Sequence, residues 1–197
     1  MAPVRPATLA EVQAEVWRQL QRAPRDKHHA WRTPVLATVD GDGADARTVV
    51  LREIDVDRQQ LVVFTDRRAA KVAQLVSHPN GTLVMWSATL GWQLRCRVRL
   101  TVQSQGLAAT SRWALVKLSP AAQDYLSPLP PGAALADAEL PGDSPGALSA
   151  DAAREPAPQP HFAIIEAQVL AIDWLELKRG GHRRALFDDA GARWVQP

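Results

Sequence analysis

Apolar residues recur along this chain with two different periods, and the switches between them mark out its elements. Leu9, Val12, Val16, Trp17 and Leu20 share one helical face, so the spacing predicts an amphipathic helix over 9–22. Thr8-Leu9-Ala10-Glu11 opens it as a capping box, Thr8 serving the amide of Glu11 while Glu11 reaches back. Strands are predicted at 33–39, 47–52, 61–65, 82–86 and 92–103. In the last of these, Leu94, Cys96, Val98, Leu100 and Val102 alternate with Gln93, Arg95, Arg97, Arg99 and Thr101, the period of a half-buried strand. Asp40-Gly41-Asp42-Gly43 joins the first two strands as a hairpin, because Gly and Asp tolerate positive φ. Short helices are predicted over 68–77, ended by Pro79-Asn80-Gly81, and over 107–118, with Tyr125 in a further helical segment.

Strand character returns at 162–170. A hairpin of 174–178 and 182–187 turns at Gly180-Gly181, and Arg193-Trp194-Val195 closes the chain. About six or seven strands with helices between them, and no βα alternation, predict an α+β fold built on an antiparallel barrel. Residues 127–160 break the pattern: Pro, Ala and Gly dominate and no aromatic residue occurs. Such a stretch buries too little apolar surface to offset its ordering entropy, so it is expected to be a mobile surface excursion from one domain spanning 1–197.

Composition narrows the function classes. Hydrophobic residues make up 46% and charged residues 22% of the 197, which is ordinary for a globular protein. The formal net charge is +2 and the cations lie in short clusters, which argues against a nucleic-acid partner. One cysteine, Cys96, excludes an internal disulfide and a cysteine-based metal framework; its place in a strand pattern predicts a buried, inert thiol. His28 and His29 are adjacent and unsuited to share a metal ion, so no metal is expected. No signal-peptide layout occurs, and no run approaches the roughly 20 apolar residues of a membrane span, so the expected location is the cytoplasm. Walker A and Gly-x-Gly-x-x-Gly dinucleotide fingerprints are absent from the sequence.

The candidate chemistry lies in two segments. Arg47-Thr48-Val49-Val50-Leu51-Arg52 is a buried-strand pattern with a cation at each end, and Phe64-Thr65-Asp66-Arg67-Arg68-Ala69-Ala70-Lys71 runs from a strand end into a cationic helix start. An unpaired buried cation is costly, so an anion held between the two segments accounts for both. Thr65 and the first amides of the helix would complete a phosphate cradle.

Their order and spacing resemble the FMN-binding split-barrel family typified by pyridoxamine 5'-phosphate oxidase. In that family Arg-x-Val-Leu-Leu-Lys is followed by Tyr-Thr-Asn, a short turn, Ser-Arg-Lys on a helix, and later Gln-Val-Arg; here Gln93-Leu94-Arg95 stands for the last. The resemblance implies a six- to seven-stranded split barrel and FMN as cofactor, contacted along Arg47, Thr48, Val49, Val50, Leu51 and Arg52 and by Phe64, Thr65, Lys71 and Gln93. Ala69-Ala70 replace the family's Ser-Arg, and Arg67 and Arg68 are expected to compensate from the same turn. It also implies a homodimer with flavin sites between subunits, where Arg183 and Arg184 reach the partner's site. The family's substrate-contacting His is Ala185 here, its last Arg is Phe187, and its Trp position falls on Leu177. An FMN-dependent oxidoreductase acting on a small molecule other than pyridoxamine phosphate is therefore expected, with no catalytic acid or base identifiable. The alternatives are a non-enzymatic flavin-binding carrier or sensor, and a barrel holding haem or deazaflavin instead.

Overall fold

The computed structural model describes residues 5–41, 43–135 and 160–197. Most of the expected 127–160 excursion, residues 136–159, lies outside the described residues. Helix α1 (Leu9–Arg22) starts on the predicted capping box, with the Glu11 amide donating to Thr8 Oγ1 at 3.2 Å and the Thr8 amide to Glu11 Oε2 at 3.0 Å. Nine strands follow: β1 (Val35–Asp40), β2 (Gly43–Thr48), β3 (Leu51–Asp55), β4 (Gln60–Asp66), β5 (Asn80–Ser87), β6 (Trp92–Gln103), β7 (Phe162–Glu176), β8 (Arg183–Asp188) and β9 (Gly191–Val195). Helix α2 (Ala70–Ser77) lies between β4 and β5, and α3 (Gly106–Val116) and a 3-10 turn (Pro120–Tyr125) follow β6.

The number of strands exceeds the six or seven expected, and the boundaries differ at two places. The 47–52 run divides between β2 and β3, because Val49 and Val50 leave the ladder. The predicted 162–170 and 174–178 strands are one strand, β7, 15 residues long.

All pairings are antiparallel, in the order β2-β1-β5-β6-β7-β4-β3, with β8 on β7 and β9 on β8. β2 and β3 stand at opposite ends of that order, yet only Val49 and Val50 separate them in sequence. A trans chain covers about 3.8 Å per Cα step, so the two sheet edges must meet within roughly 11 Å. The sheet is thus rolled into a barrel. Along β7 the first half pairs with β4 and the second with β8, which splits the barrel at that strand.

Alternation fills the interior. Leu94, Cys96, Val98 and Leu100 of β6 are buried while Arg95, Arg97 and Arg99 face out. Val12, Val16 and Leu20 of α1 pack into the same core as Leu36, Leu51, Leu61, Leu83 and Trp174. Each such side chain contributes about 1.5–3 kcal/mol of burial. Trp31, Trp92 and Trp174 form an aromatic chain through it, with ring centroids 6.4 and 5.1 Å apart. A smaller cluster of Val62, Tyr125, Phe162 and Ile164 sits under α3, with Phe64 and Trp113 packed against it.

Candidate functional site

β2 carries Arg47 opposite Leu36, so its side chain turns to the core side of the sheet, towards α2. There its guanidinium donates to Thr38 Oγ1 at 2.6 Å and Gln74 Oε1 at 2.9 Å, and it pairs with Asp45. Gln74 of α2 in turn donates to Asp45 Oδ2 at 2.8 Å. Thr38, Gln74 and Asp45 fix the guanidinium in place, which a flexible side chain otherwise resists at an entropic cost.

Lys71, in the first turn of α2, donates from Nζ to Thr65 Oγ1 at 3.1 Å and has no carboxylate within salt-bridge distance among the described residues. Burial pulls its amine below the ordinary lysine range and the Arg47 charge pulls it further; Asp66 opposes them. The N-cap of α2, Ala69, offers no side-chain acceptor to the helix, and the first turn has no acidic residue. Arg47, Lys71, Thr65 and an uncapped helix start therefore form a donor set with a positive excess. Such a set suits a phosphate monoester: fixed cations, a hydroxyl and dipole-aligned amides.

Arg52 is the extra residue of a β-bulge, since Leu51 pairs with Val63 and Glu53 with Val62. A bulge re-aims a side chain. Arg52 stacks over Phe64, its guanidinium carbon 5.7 Å from the ring centroid, and its Nε is buried without a protein acceptor. Tyr125 closes this recess. Burial raises its phenol, and the Arg52 charge works against that rise. The 3-10 turn that brings Tyr125 to Arg52 carries no motif that would have nominated it.

The remaining predicted residues are dispersed. Thr48 is exposed, Val49 and Leu51 are core residues, and Val50 is half-buried. Gln93 lies on the outer sheet face, opposite Trp86 and Leu175. Arg68 is tied to Asp66 and to the backbone at 127–129. Arg183 is held by Glu176 at 2.8 Å and by the Pro6 carbonyl at 2.8 Å, and its guanidinium lies 5.4 and 5.6 Å from the Trp174 and Trp194 rings. Burial raises the Glu176 carboxyl, but Arg5 and Arg183 outweigh it and hold the group ionised below its usual range. Ala185 and Phe187 are core residues. Among the described residues no group of His, Cys, Asp or Glu side chains gathers to hold a metal, and no helix is long and apolar enough to cross a membrane.

Comparison with known proteins bears on this geometry. Residues 14–104 match the family described as "Pyridoxamine 5'-phosphate oxidase, FMN-binding domain", a span that contains Arg47, Arg52, Thr65, Lys71 and Gln93. The chain is 28% identical over 183 residues to a pyridoxine/pyridoxamine 5'-phosphate oxidase of Caulobacter vibrioides, covering 89% of this chain and 78% of the relative. A pyridoxine/pyridoxamine 5'-phosphate oxidase of Thermosynechococcus vestitus is 43% identical over 60 residues, which is 30% of this chain and 28% of that protein. In fold it is similar to a pyridoxamine 5'-phosphate oxidase-related, FMN-binding protein of Nostoc punctiforme, with a TM-score of 0.68, 23% identity and coverage of 98% of this chain and 100% of the other. It is also similar to PhzG of Burkholderia lata, solved with tetrahydrophenazine-1-carboxylic acid, with a TM-score of 0.63, 16% identity and coverage of 98% and 94%. With the barrel topology in agreement, the match over residues 14–104 and the similar proteins support placing the chain with the pyridoxamine 5'-phosphate oxidase-like split-barrel family.

Proposed function

We propose that this protein binds FMN as a homodimer and acts as an FMN-dependent oxidoreductase on a small molecule other than pyridoxamine phosphate. The observation that carries the reading is the positive excess at Arg47 and Lys71, set beside Thr65 and the uncapped start of α2. Lys71 and Arg47 would hold the phosphate, with Thr65 and the α2 amides as neutral donors. The unpartnered Nε of Arg52 is a donor that the bound flavin or its substrate would satisfy. When bound, the isoalloxazine ring would supply the hydride or electron chemistry, and the protein would orient it and control access.

Two observations support the finer points. Ala185 faces the core and Arg183 is engaged by Glu176, so the positions that match the family's substrate contacts are used for structure here, and Phe187, at the position of an FMN-contacting Arg, is also a core residue. Val35 and Trp86 stand 37% and 47% exposed on the outer sheet face that also carries Gln93. A second subunit covering that face would bury them beside the cofactor ring. Trp86→Lys is expected to turn a dimer into a monomer by light scattering, and an unchanged mass would remove this face from the interface.

The direct test is an absorption spectrum taken after FMN is added and the protein desalted. Retained flavin bands in the near-ultraviolet and blue are expected, and their absence rejects the reading. A carrier or sensor without turnover is the second reading, favoured by the same inward-facing Ala185. Reduction of the bound flavin by NAD(P)H with steady reoxidation in air separates the two.

A further inference from the structure

Arg68 sits three residues before Lys71, and its donors point away from the cradle. Its Nε donates to Asp66 Oδ1 at 3.1 Å and Oδ2 at 3.3 Å, and Nη2 to Asp66 Oδ2 at 2.7 Å. Nη2 also meets the carbonyls of Ser127 at 2.9 Å and Leu129 at 3.2 Å, while Nη1 meets that of Pro128 at 3.1 Å. A guanidinium has five N–H bonds. At most one is left for anything else.

The acceptor at the centre is buried. Asp66 is 5% exposed and also accepts the Arg68 amide at 2.7 Å. The same turn holds the far end of the excursion: the Arg67 amide donates to the His161 carbonyl at 2.7 Å, and the His161 amide to the Tyr125 carbonyl at 2.8 Å. Residues 127–129 and 161 are thus fastened to Arg68 and Arg67, between Thr65 and the N-cap of α2. The chain leaves the barrel and re-enters it at the turn that carries the cradle.

From this we infer that Arg68 is a positioning residue: through Asp66 it makes the excursion's stem and the turn into α2 one unit, and it does not itself contact the phosphate. The inference rests on the FMN cradle proposed above for its consequence, which is coupling. A ligand that orders the turn also orders the stem, and the reverse holds by linkage.

The test follows backbone hydrogen exchange of residues 126–133 with and without FMN, in the parent and in Arg68→Lys. The Lys keeps a cation beside Asp66, so the variant is expected to stay folded, but it lacks the donors to reach three carbonyls. In the ligand-free parent the stem is expected to exchange at least about tenfold more slowly than in Arg68→Lys, the loss of one or more charge-assisted hydrogen bonds. FMN is expected to slow stem exchange further in the parent and not in the variant, while FMN affinity changes by no more than about threefold. Equal ligand-free exchange in the two proteins overturns the clamp. FMN protection that persists in Arg68→Lys overturns the coupling. A loss of FMN affinity as large as that of Lys71→Ala overturns the claim that Arg68 leaves the phosphate alone. If the parent binds no FMN, the cradle reading fails, and the ligand-free comparison still decides the clamp.

Discussion

Two arginine clusters in this barrel came from one family resemblance, and the structure treats them in opposite ways. Around Arg183 both cations reach one carboxylate: Glu176 takes Arg183 and Arg5, at 2.8 and 2.5 Å, beside Trp92, Trp174 and Trp194. Around Arg47 they do not, and the cluster stays open: Asp45 answers one cation, and Lys71 is left with a hydroxyl. Each cluster sets two cations against one carboxylate, and what separates them is contact: both cations of the first reach it, and one of the second does not. The first cluster is spent on the fold, and the second leaves a cation that the proposed phosphate would meet.

Breaking the closed cluster should cost the most. Glu176→Ala leaves the part-buried Arg183 without its counter-ion, which is expected to remove up to about 3 kcal/mol of stability by chemical denaturation, with the loss appearing as a lower midpoint at an unchanged slope. The same carboxyl predicts acid sensitivity. Because its folded pKa lies below the unfolded value, its stabilisation is present above the unfolded carboxylate range and fades as pH falls through the depressed folded value.

Breaking the open cluster should cost affinity and spare the fold. Lys71→Ala is expected to weaken FMN by about ten- to hundredfold in a fluorescence titration, the 1.5–3 kcal/mol of a charge-assisted contact. Stability without FMN should hold or rise, since the variant no longer keeps a charged amine in a half-buried site beside Arg47. A smaller effect follows from pH. The free protein holds Lys71 below the ordinary lysine range, and an anion binds the protonated amine. FMN affinity should therefore decline as pH rises through that lowered value, before free lysines titrate, and Lys71→Ala should abolish the decline.

The mildest change is Arg5→Ala. Its side chain is 41% exposed, and Glu176 keeps Arg183, so the expected loss is about 0–1 kcal/mol. A large loss there would mean that the closed cluster depends on the N-terminal segment rather than on the terminal hairpin.

What could be read in advance follows the reach of each interaction. The capping box at Thr8 and Glu11 and the alternation from Trp92 to Gln103 are local, and both stand as expected. The division of Arg47-to-Arg52 between two sheet edges carries no turn signal, since Val49 and Val50 are apolar like their neighbours. Glu176 was not legible as the partner of Arg183: counting outward from Gly180-Gly181 sets Lys178 opposite Arg183, whereas the observed register sets Glu176 there. Arg68 and the carbonyls at 127–129 are about sixty residues apart, and Tyr125 meets Arg52 only through the packing of a 3-10 turn. Contacts of that separation leave no spacing to read.

The central claim is that the open cluster exists to hold a phosphate, and titrating the parent protein with FMN and with riboflavin tests it most directly. The two flavins share the ring and differ in the phosphate. The account predicts FMN tighter by about a hundredfold or more, as expected for an anion meeting two cations and a helix start. Equal affinity for the two flavins, or retention of neither, would contradict it.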